Sequence, residues 1–252
     1  MSEDNKGLPT ESRSAEIDAF LNQVRKAPPR PGGGRGRLIF ALDATASREP
    51  SWERACRIQG EMFEATAGLG GLEIQLVFYR GFAECKSSRW MTTAADLHRA
   101  MRSVFCVGGE TQIERVLAHA IAETGRRRVN ALVFVGDAME ENLDRLCGLA
   151  GQLGLLGVPV FLFHEGGDRH AGDAFHQIAK LSGGACLSFD LASADRLKEL
   201  LGAVAVYAAG GYRALAAYGE KRGGAVLRLT AQLRPTRGSS PRAEDPPVRG
   251  KP

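Results

Sequence analysis

The stretch LIFALDATAS, residues 38–47, joins an uninterrupted apolar run to a turn rich in side-chain oxygens. Every position from Leu38 to Leu42 is apolar, which a β-strand requires when helices cover both of its faces. The runs ALVFV at 131–135 and VPVFLF at 158–163 have the same character. Because segments with a helical 3.6-residue period lie between these runs, the chain is predicted to form a parallel sheet between two layers of helices.

Extended to the whole chain, the same patterns predict six strands, at 38–43, 72–79, 83–86, 129–136, 158–164 and 185–189. Helices are predicted between them, at 50–67, 92–105, 112–123, 142–153, 173–181 and 193–209. The third strand follows the second too closely for a parallel crossover, so we expect an antiparallel hairpin there. The predicted fold class is a three-layer α/β/α, Rossmann-like sheet of about six strands, mostly parallel with one short antiparallel edge strand.

The domain organisation follows from where this alternation begins and ends. Residues 1–36 are predicted to be a flexible segment carrying a short amphipathic helix at 14–26, which either packs on its own domain or binds a partner. The α/β domain is expected at 37–209. A helix and strand extension is expected at 210–233, where AVLRLTAQL at 225–233 has the pattern of a strand or extended segment. The Pro- and Gly-rich tail at 234–252 is predicted to be disordered.

Charge and length limit the classes of partner. The chain of 252 residues has 33 basic and 29 acidic side chains, a net charge of +4. The excess lies in the two ends, and residues 38–230 carry 21 basic against 22 acidic side chains, so no nucleic-acid-binding surface is expected. The longest apolar runs, at 154–163 and 200–209, are shorter than the ~20 residues that span a bilayer, so no membrane segment is expected.

Cysteine usage and the first residues predict a cytoplasmic setting. The five cysteines are widely spread and form no C-x-x-C pair, so we expect reduced thiols rather than disulfides or a zinc site. The first fourteen residues, MSEDNKGLPTESRS, are polar and lack the apolar core of a secretory leader. The protein is therefore expected to be cytoplasmic.

Side chains bearing oxygen follow two of the buried strands and precede one helix. Asp43, Thr45 and Ser47 follow the first strand, Thr111 ends the turn GGET at 108–111, and Asp137 follows the run at 131–135. In an open α/β sheet, ligands bind outside the carboxyl ends of the strands, so these loops are the first candidates for a site. Taken singly, Thr45, Ser47, Thr111 and Asp137 also have the ordinary role of capping a helix N-terminus. Together they form an oxygen set suited to octahedral Mg²⁺ or Mn²⁺.

Three motifs carry a resemblance to a known family: D-x-T-x-S at 43–47, G-G-x-T at 108–111 and an apolar strand ending in G-D at 136–137. With these motifs the chain resembles the von Willebrand factor A (VWA) domain. The resemblance covers about residues 37–209 and points to the intracellular bacterial type. It implies a metal-ion-dependent adhesion site at which Thr45 and Ser47 coordinate the ion directly. It further implies that Asp43 and Asp137 act mainly through water, and that Thr111 acts directly or through water.

Two positions depart from the pattern of the family. Thr45 stands where the family more usually has Ser, which keeps the hydroxyl. Gly136 and Ala138 flank Asp137 where the family more often reads T-D-G. We still expect a working Mg²⁺ or Mn²⁺ site.

The resemblance implies a non-catalytic module in which a partner protein completes the coordination of the ion with an Asp or Glu. An ATPase of the AAA type is the partner class that the resemblance suggests. Four glutamates close to these loops in the sequence offer an alternative: they either fill the open position from within the chain or are exposed first-turn carboxylates. They are Glu49, Glu110, Glu140 and Glu141.

An enzyme is the alternative function. In a phosphohydrolase of haloacid-dehalogenase type, Asp43 would be the nucleophile and Asp137 a metal ligand. Thr45 then stands where such a phosphatase needs its general acid, and Thr111 has no role. Neither a P-loop nor a G-x-S-x-G elbow occurs in the sequence. The stretch 164–176 contains three histidines, but at no spacing that is standard for zinc.

Overall fold

Strand β1 (Gly36–Asp43) lies inside a six-stranded sheet in the computed structural model, which describes residues 35–189 and 194–233. The other strands are β2 (Leu72–Arg80), β3 (Glu84–Ser87), β4 (Ala131–Gly136), β5 (Val160–Glu165) and β6 (Ala185–Phe189). Their order is β3-β2-β1-β4-β5-β6, parallel throughout except for β3, which pairs antiparallel with β2. The predicted fold class is thus confirmed. The predictions for 14–26 and for the tail lie outside the described residues.

Eight α-helices occur in the described part of the chain. They are α1 (Glu49–Ile58), α2 (Gly60–Glu64), α3 (Ala94–Arg102), α4 (Ile113–Arg126), α5 (Leu143–Leu155), α6 (Arg169–Ser182), α7 (Ala194–Arg222) and α8 (Gly224–Gln232). Helix α6 begins four residues earlier than predicted because Asp168 caps it, accepting hydrogen bonds from the N–H groups of His170 and Ala171. The single helix predicted at 50–67 is two helices followed by a 3₁₀ turn.

The alternation of side chains along β1 divides the core into two layers. Leu38 and Phe40 point into the layer that contains helices α1, α2, α3, α7 and α8. Ile39 and Ala41 point into the layer formed by α4, α5 and α6. All four side chains are fully buried, so β1 is covered on both faces, as its uninterrupted apolar run predicts.

The segment 225–233, predicted to be a strand or extended, is helix α8, and that prediction is wrong. Its buried residues Ala225, Val226 and Leu229 are spaced three and four apart, which places them on one face of a helix. Thr230 Oγ donates a hydrogen bond to the Val226 carbonyl one turn earlier. The short apolar run was compatible with either structure, and packing against α7 and β6 favours the helix.

Helix α7 packs along the sheet, and its surface is apolar enough to raise the question of a membrane. Among the described residues it is the one helix whose length and composition would allow it to span a bilayer, over Leu197–Arg222. Of its most apolar 18-residue window, 61% is buried inside the protein, and Leu200, Leu201 and Val204 are fully buried. A non-helical residue, Gly211, with φ of 71°, interrupts it. Its apolar face is therefore occupied by the core of the domain.

Gly36 is required because α7 passes directly over the start of β1. A Cβ atom at Gly36 would lie 2.5 Å from the carbonyl oxygen of Ala208, a distance that needs a shift of backbone. Gly148, on the exposed side of α5, has no atom within 4 Å of the corresponding position and offers a matched comparison.

We expect Gly36→Ala to lower the free energy of unfolding by about 1–3 kcal/mol, because the added methyl group forces α7 away from the sheet. Gly148→Ala should instead raise it by up to about 1 kcal/mol, since alanine favours an exposed helix interior. Urea unfolding of both variants measures the two effects. Equal stability of Gly36→Ala and the parent chain would contradict the close packing of α7 on β1.

Candidate metal centre

The end of β1 forms the first part of the site. Asp43 is buried, and its Oδ1 accepts a hydrogen bond of 2.7 Å from the backbone N–H of Thr45. This bond turns the chain directly after the strand, so that Thr45 Oγ1 and Ser47 Oγ lie 3.4 Å apart. This turn therefore holds together the three oxygen-bearing residues predicted after the first strand, Asp43, Thr45 and Ser47.

The end of β4 adds the second carboxylate. Ser47 Oγ donates a hydrogen bond of 3.2 Å to Asp137 Oδ2, across 90 residues of sequence. This contact is possible because β1 and β4 are neighbours in the sheet. From β1 the chain continues to β2 on one side, and from β4 it continues to β5 on the opposite side. Such a reversal of direction creates a crevice at the carboxyl ends of the strands. Asp43, Thr45, Ser47 and Asp137 thus form a continuous chain of contacts.

Thr111 reaches the same edge on a separate loop, at 103–112. Val107 donates a backbone hydrogen bond of 3.0 Å to the Ala44 carbonyl, and Glu110 donates one of 3.2 Å to the Gly81 carbonyl. Gly109 allows this approach, since a Cβ there would lie 2.1 Å from the Gly81 oxygen. The loop is therefore fixed against both β1 and the β2–β3 hairpin.

Glu140 connects Thr111 to the loop that carries Asp137. Thr111 donates its N–H to Glu140 Oε2 at 3.0 Å, and Thr111 Oγ1 accepts the N–H of Glu140 at 3.1 Å. Within the described residues, no hydrogen bond joins Thr111 directly to Asp43, Thr45 or Ser47. The structure thus brings all five predicted residues to one edge, four linked by successive contacts and the fifth connected through Glu140.

The alternative role of these residues as helix caps is not what the structure shows. Helix α4 begins after Gln112, and the Glu141 carboxylate accepts the N–H groups of Ile113 and Glu114, at 2.6 and 2.8 Å. Helix α5 is capped by Asn142, whose side chain accepts the N–H of Arg145. Neither Thr111 nor Asp137 therefore caps the helix that follows it. Thr45 likewise makes no side-chain capping bond to the 3₁₀ turn after it.

The four nearby glutamates divide into two pairs. Glu140 and Glu141 are engaged with backbone N–H groups of the loop and helix that follow Gly109, so they hold that loop in place. Glu49 and Glu110 are exposed. Glu49 lies in the first turn of α1, as expected of a first-turn carboxylate. The bracing role of Glu140 and Glu141 was not predicted.

Sequence reasoning also missed a buried ion pair beside the site. Arg48 lies with one guanidinium nitrogen 3.7 Å from Asp137 Oδ2 and forms a salt bridge through another with Glu165. Ser51 donates a further hydrogen bond to the same carboxylate of Glu165. Glu165 is the last residue of β5, so inspection of every strand end would have identified it. Arg48 is adjacent to Ser47, but its orientation had no signal in the sequence.

Burial and two neighbouring charges, those of Asp137 and Arg48, set the electrostatics of Asp43 in the crevice. Burial raises the pKa of the Asp43 carboxyl above its ordinary value, and the negative charge of Asp137 raises it further. Hydrogen bonding from Thr45 and the positive charge of Arg48 act in the opposite direction. Beneath the site, burial raises the pKa of Tyr79, and the Asp43 charge adds to that rise. A bound cation would stabilise the charged form of Asp43.

The donor set fits a small hard ion. Adjacent ligands of an octahedral Mg²⁺ with bonds of about 2.1 Å lie about 3.0 Å apart. The distances from Ser47 Oγ to Thr45 Oγ1 and Asp137 Oδ2, 3.4 and 3.2 Å, are close to that edge length. The described part of the chain holds no group of three or more His, Cys, Asp or Glu side chains arranged for a metal, so the histidines at 164–176 form no second centre there. The oxygen crevice is the candidate metal centre.

Comparison with known proteins gives no match by sequence. No protein-family model matches the chain, and no curated protein matches it. Solved structures do match it, at low identity. Such likeness reports on the fold and leaves the activity open.

Three of these structures share most of the domain. The SpRpn10 VWA domain is 12% identical, with a TM-score of 0.53 over 65% of this chain and 95% of that one. Proximal thread matrix protein 1 from the mussel byssus, with a zinc-occupied MIDAS motif, is 15% identical, with a TM-score of 0.57 over 76% of this chain and 52% of that one. An aerotolerance-related membrane protein from Bacteroides fragilis, bearing multiple mutations to serines, is 16% identical, with a TM-score of 0.50 over 66% of this chain and 96% of that one.

The chain thus spans about half the length of the byssus protein and nearly all of the other two. The shared part contains the parallel sheet whose carboxyl edge carries the five predicted residues. With the motifs at 43–47, 108–111 and 136–137, these likenesses show that the chain has the von Willebrand factor A domain fold.

Proposed function

We propose that this protein is a non-catalytic binding module that holds a divalent cation at its five-residue crevice and docks a partner carboxylate there. The observation that carries the proposal is the contact chain from Thr45 Oγ1 through Ser47 Oγ to Asp137 Oδ2, which joins two strands by side-chain oxygens alone. The zinc-occupied motif of the byssus protein supports a divalent ion on this fold.

The side chains determine what such an ion can do. When bound, it supplies a Lewis-acidic centre that attracts a carboxylate from outside. Thr45 and Ser47 present neutral hydroxyls to it, so they contribute no negative charge. Hard oxygen donors, neutral or charged, are the ligands of Mg²⁺ and Mn²⁺, which we propose as the native ions.

Exposed apolar side chains lie on two loops beside the crevice, the loop at 103–112 that contacts Ala44 and the turn at 81–83. Phe82 is 77% exposed and Phe105 is 65% exposed, and Val107 is also exposed on the same loop as Phe105. Arg80 fixes that loop, because its guanidinium donates a hydrogen bond of 2.8 Å to the Phe105 carbonyl. The guanidinium also lies 4.4 Å from the centre of the Phe105 ring. Large apolar side chains grouped at an exposed edge are typical of an interaction surface. We propose that the partner places its carboxylate on the ion and an apolar surface against these loops.

The phosphohydrolase alternative receives no support from the geometry. A nucleophile must be accessible to its substrate, whereas Asp43 is 3% exposed and accepts a backbone hydrogen bond. Thr45 occupies the position where the general acid would be needed. Turnover of small phosphoesters that requires Mg²⁺ and disappears in Asp43→Asn would overturn the binding proposal.

The biological setting remains a prediction from the sequence. This prediction covers the cytoplasmic location, the intracellular bacterial type and an ATPase of the AAA type as partner. It also covers the expectation that neither nucleic acid nor membrane is bound.

Metal binding is the first test of the proposal. We expect the parent chain to bind one Mn²⁺ in calorimetric titration, and Ser47→Ala to weaken binding about tenfold or more, because a coordinating hydroxyl is lost. Ser87→Ala is the matched control, since Ser87 is exposed on β3 at the sheet edge, away from the crevice. Equal affinity of the Ser47 and Ser87 variants would contradict the assigned site. Mg²⁺ and Zn²⁺ titrations establish the ion preference.

Partner docking is the second test. We expect a protein captured from native lysate on the immobilised chain to be retained in Mg²⁺, and lost in EDTA and in Thr111→Ala, which removes the proposed ligand hydroxyl and the hydrogen bond that it accepts from the N–H of Glu140. Phe105→Ser should weaken retention, because it removes an exposed apolar contact. The control is Leu155→Ser, a side chain 91% exposed at the far end of α5. Retention indifferent to metal and to Thr111→Ala would place the interaction on another surface.

A further inference from the structure

A buried positive charge lies directly beside the proposed cation site. The Arg48 side chain is 4% exposed, and its guanidinium is 3.7 Å from Asp137 Oδ2. That same oxygen accepts the hydrogen bond from Ser47 Oγ. The oxygen of Asp137 that faces the metal-binding hydroxyl therefore also faces Arg48.

Glu165 holds the guanidinium from the other side. Its side chain is 5% exposed at the end of β5, and it pairs with Arg48 while accepting a hydrogen bond from Ser51. The remaining guanidinium nitrogen, Nε of Arg48, has no hydrogen-bond partner within the described residues. Arg48 is thus shared between two carboxylates, one of the metal site and one outside it.

We propose that Arg48 is a built-in competitor of the divalent cation for Asp137, and that Glu165 sets the affinity of the site by drawing Arg48 away. This inference rests on the metal site proposed above. A cation held by Ser47 and, directly or through water, by Asp137 would lie near the guanidinium, and like charges repel strongly where both are partly buried. The Arg48 charge also acts on the Asp43 carboxyl.

The proposal gives the two partners opposite effects on metal affinity. Glu165→Gln removes the charge that draws Arg48 away, so the guanidinium turns to Asp137 and Mn²⁺ affinity falls about tenfold or more. Arg48→Met removes the competing charge at similar size, so affinity rises about tenfold or more. Because Glu165 acts through Arg48, Glu165→Gln in the Arg48→Met background should change affinity less than about threefold.

The experiment is a double-mutant cycle read by Mn²⁺ titration, with Mn²⁺-induced shifts in thermal unfolding as a second readout. Arg48→Lys keeps the charge and should keep an affinity close to that of the parent chain. The control is Glu123→Gln, which removes a carboxylate paired with the buried Arg37 at the amino end of the sheet and should leave Mn²⁺ affinity unchanged.

Arg48→Met leaves Glu165 buried without its partner and can fail to fold. In that case the test uses Glu165→Gln, Arg48→Lys and the double variant Arg48→Met/Glu165→Gln. We expect the double variant to bind Mn²⁺ at least about tenfold more tightly than Glu165→Gln alone. The proposal is overturned if Glu165→Gln does not weaken binding, or if it weakens binding equally with and without Arg48. If the parent chain binds no Mn²⁺, the proposed function itself fails, which is a distinct result.

Discussion

Burial of β1 between β2 and β4, with helices on both faces, is the constraint on which the rest of the structure depends. It requires every residue from Leu38 to Leu42 to be apolar, and it ends where the chain reaches the carboxyl edge of the sheet. The first residue beyond that apolar run, Asp43, is therefore the first that can carry charge. Because β1 and β4 are neighbours, the loop after β1 meets the loop after β4.

The resulting crevice concentrates opposing charges in a small volume. Two carboxylates, Asp43 and Asp137, face it, and the buried cation Arg48 is shared with a third carboxylate, Glu165. Such an arrangement costs desolvation energy, so a buried ion pair is weak evidence for stability. Its value is instead that small changes in the position of one guanidinium alter the charge that an entering ion meets. The loops that surround the crevice are braced by Glu140 and Glu141, so the arrangement is held by contacts with backbone N–H groups.

The parts of the structure that depend on local patterns could be predicted from the sequence. Six strands and the antiparallel edge hairpin followed from uninterrupted apolar runs and from the short connection at 81–83. Four of the five residues predicted for the crevice lie at or after strand ends, which share one edge in this architecture, and Thr111 precedes a helix on a loop that reaches the same edge. Helix α8 was mistaken for a strand or extended segment because the apolar positions of so short a segment fit either period, and tertiary packing decided between them. The pairing of Arg48 with Glu165 could not be predicted, since it joins residues 117 apart through a side-chain rotamer.

The most direct measurement of the central claim is a crystal structure grown in Mn²⁺ with data collected at the manganese absorption edge. The account predicts one anomalous peak in the crevice, with Thr45 Oγ1 and Ser47 Oγ about 2.1–2.2 Å from the ion and Asp137 on the same side. A peak elsewhere, such as among the histidines at 164–176, or a crevice without anomalous density at saturating Mn²⁺, would contradict it.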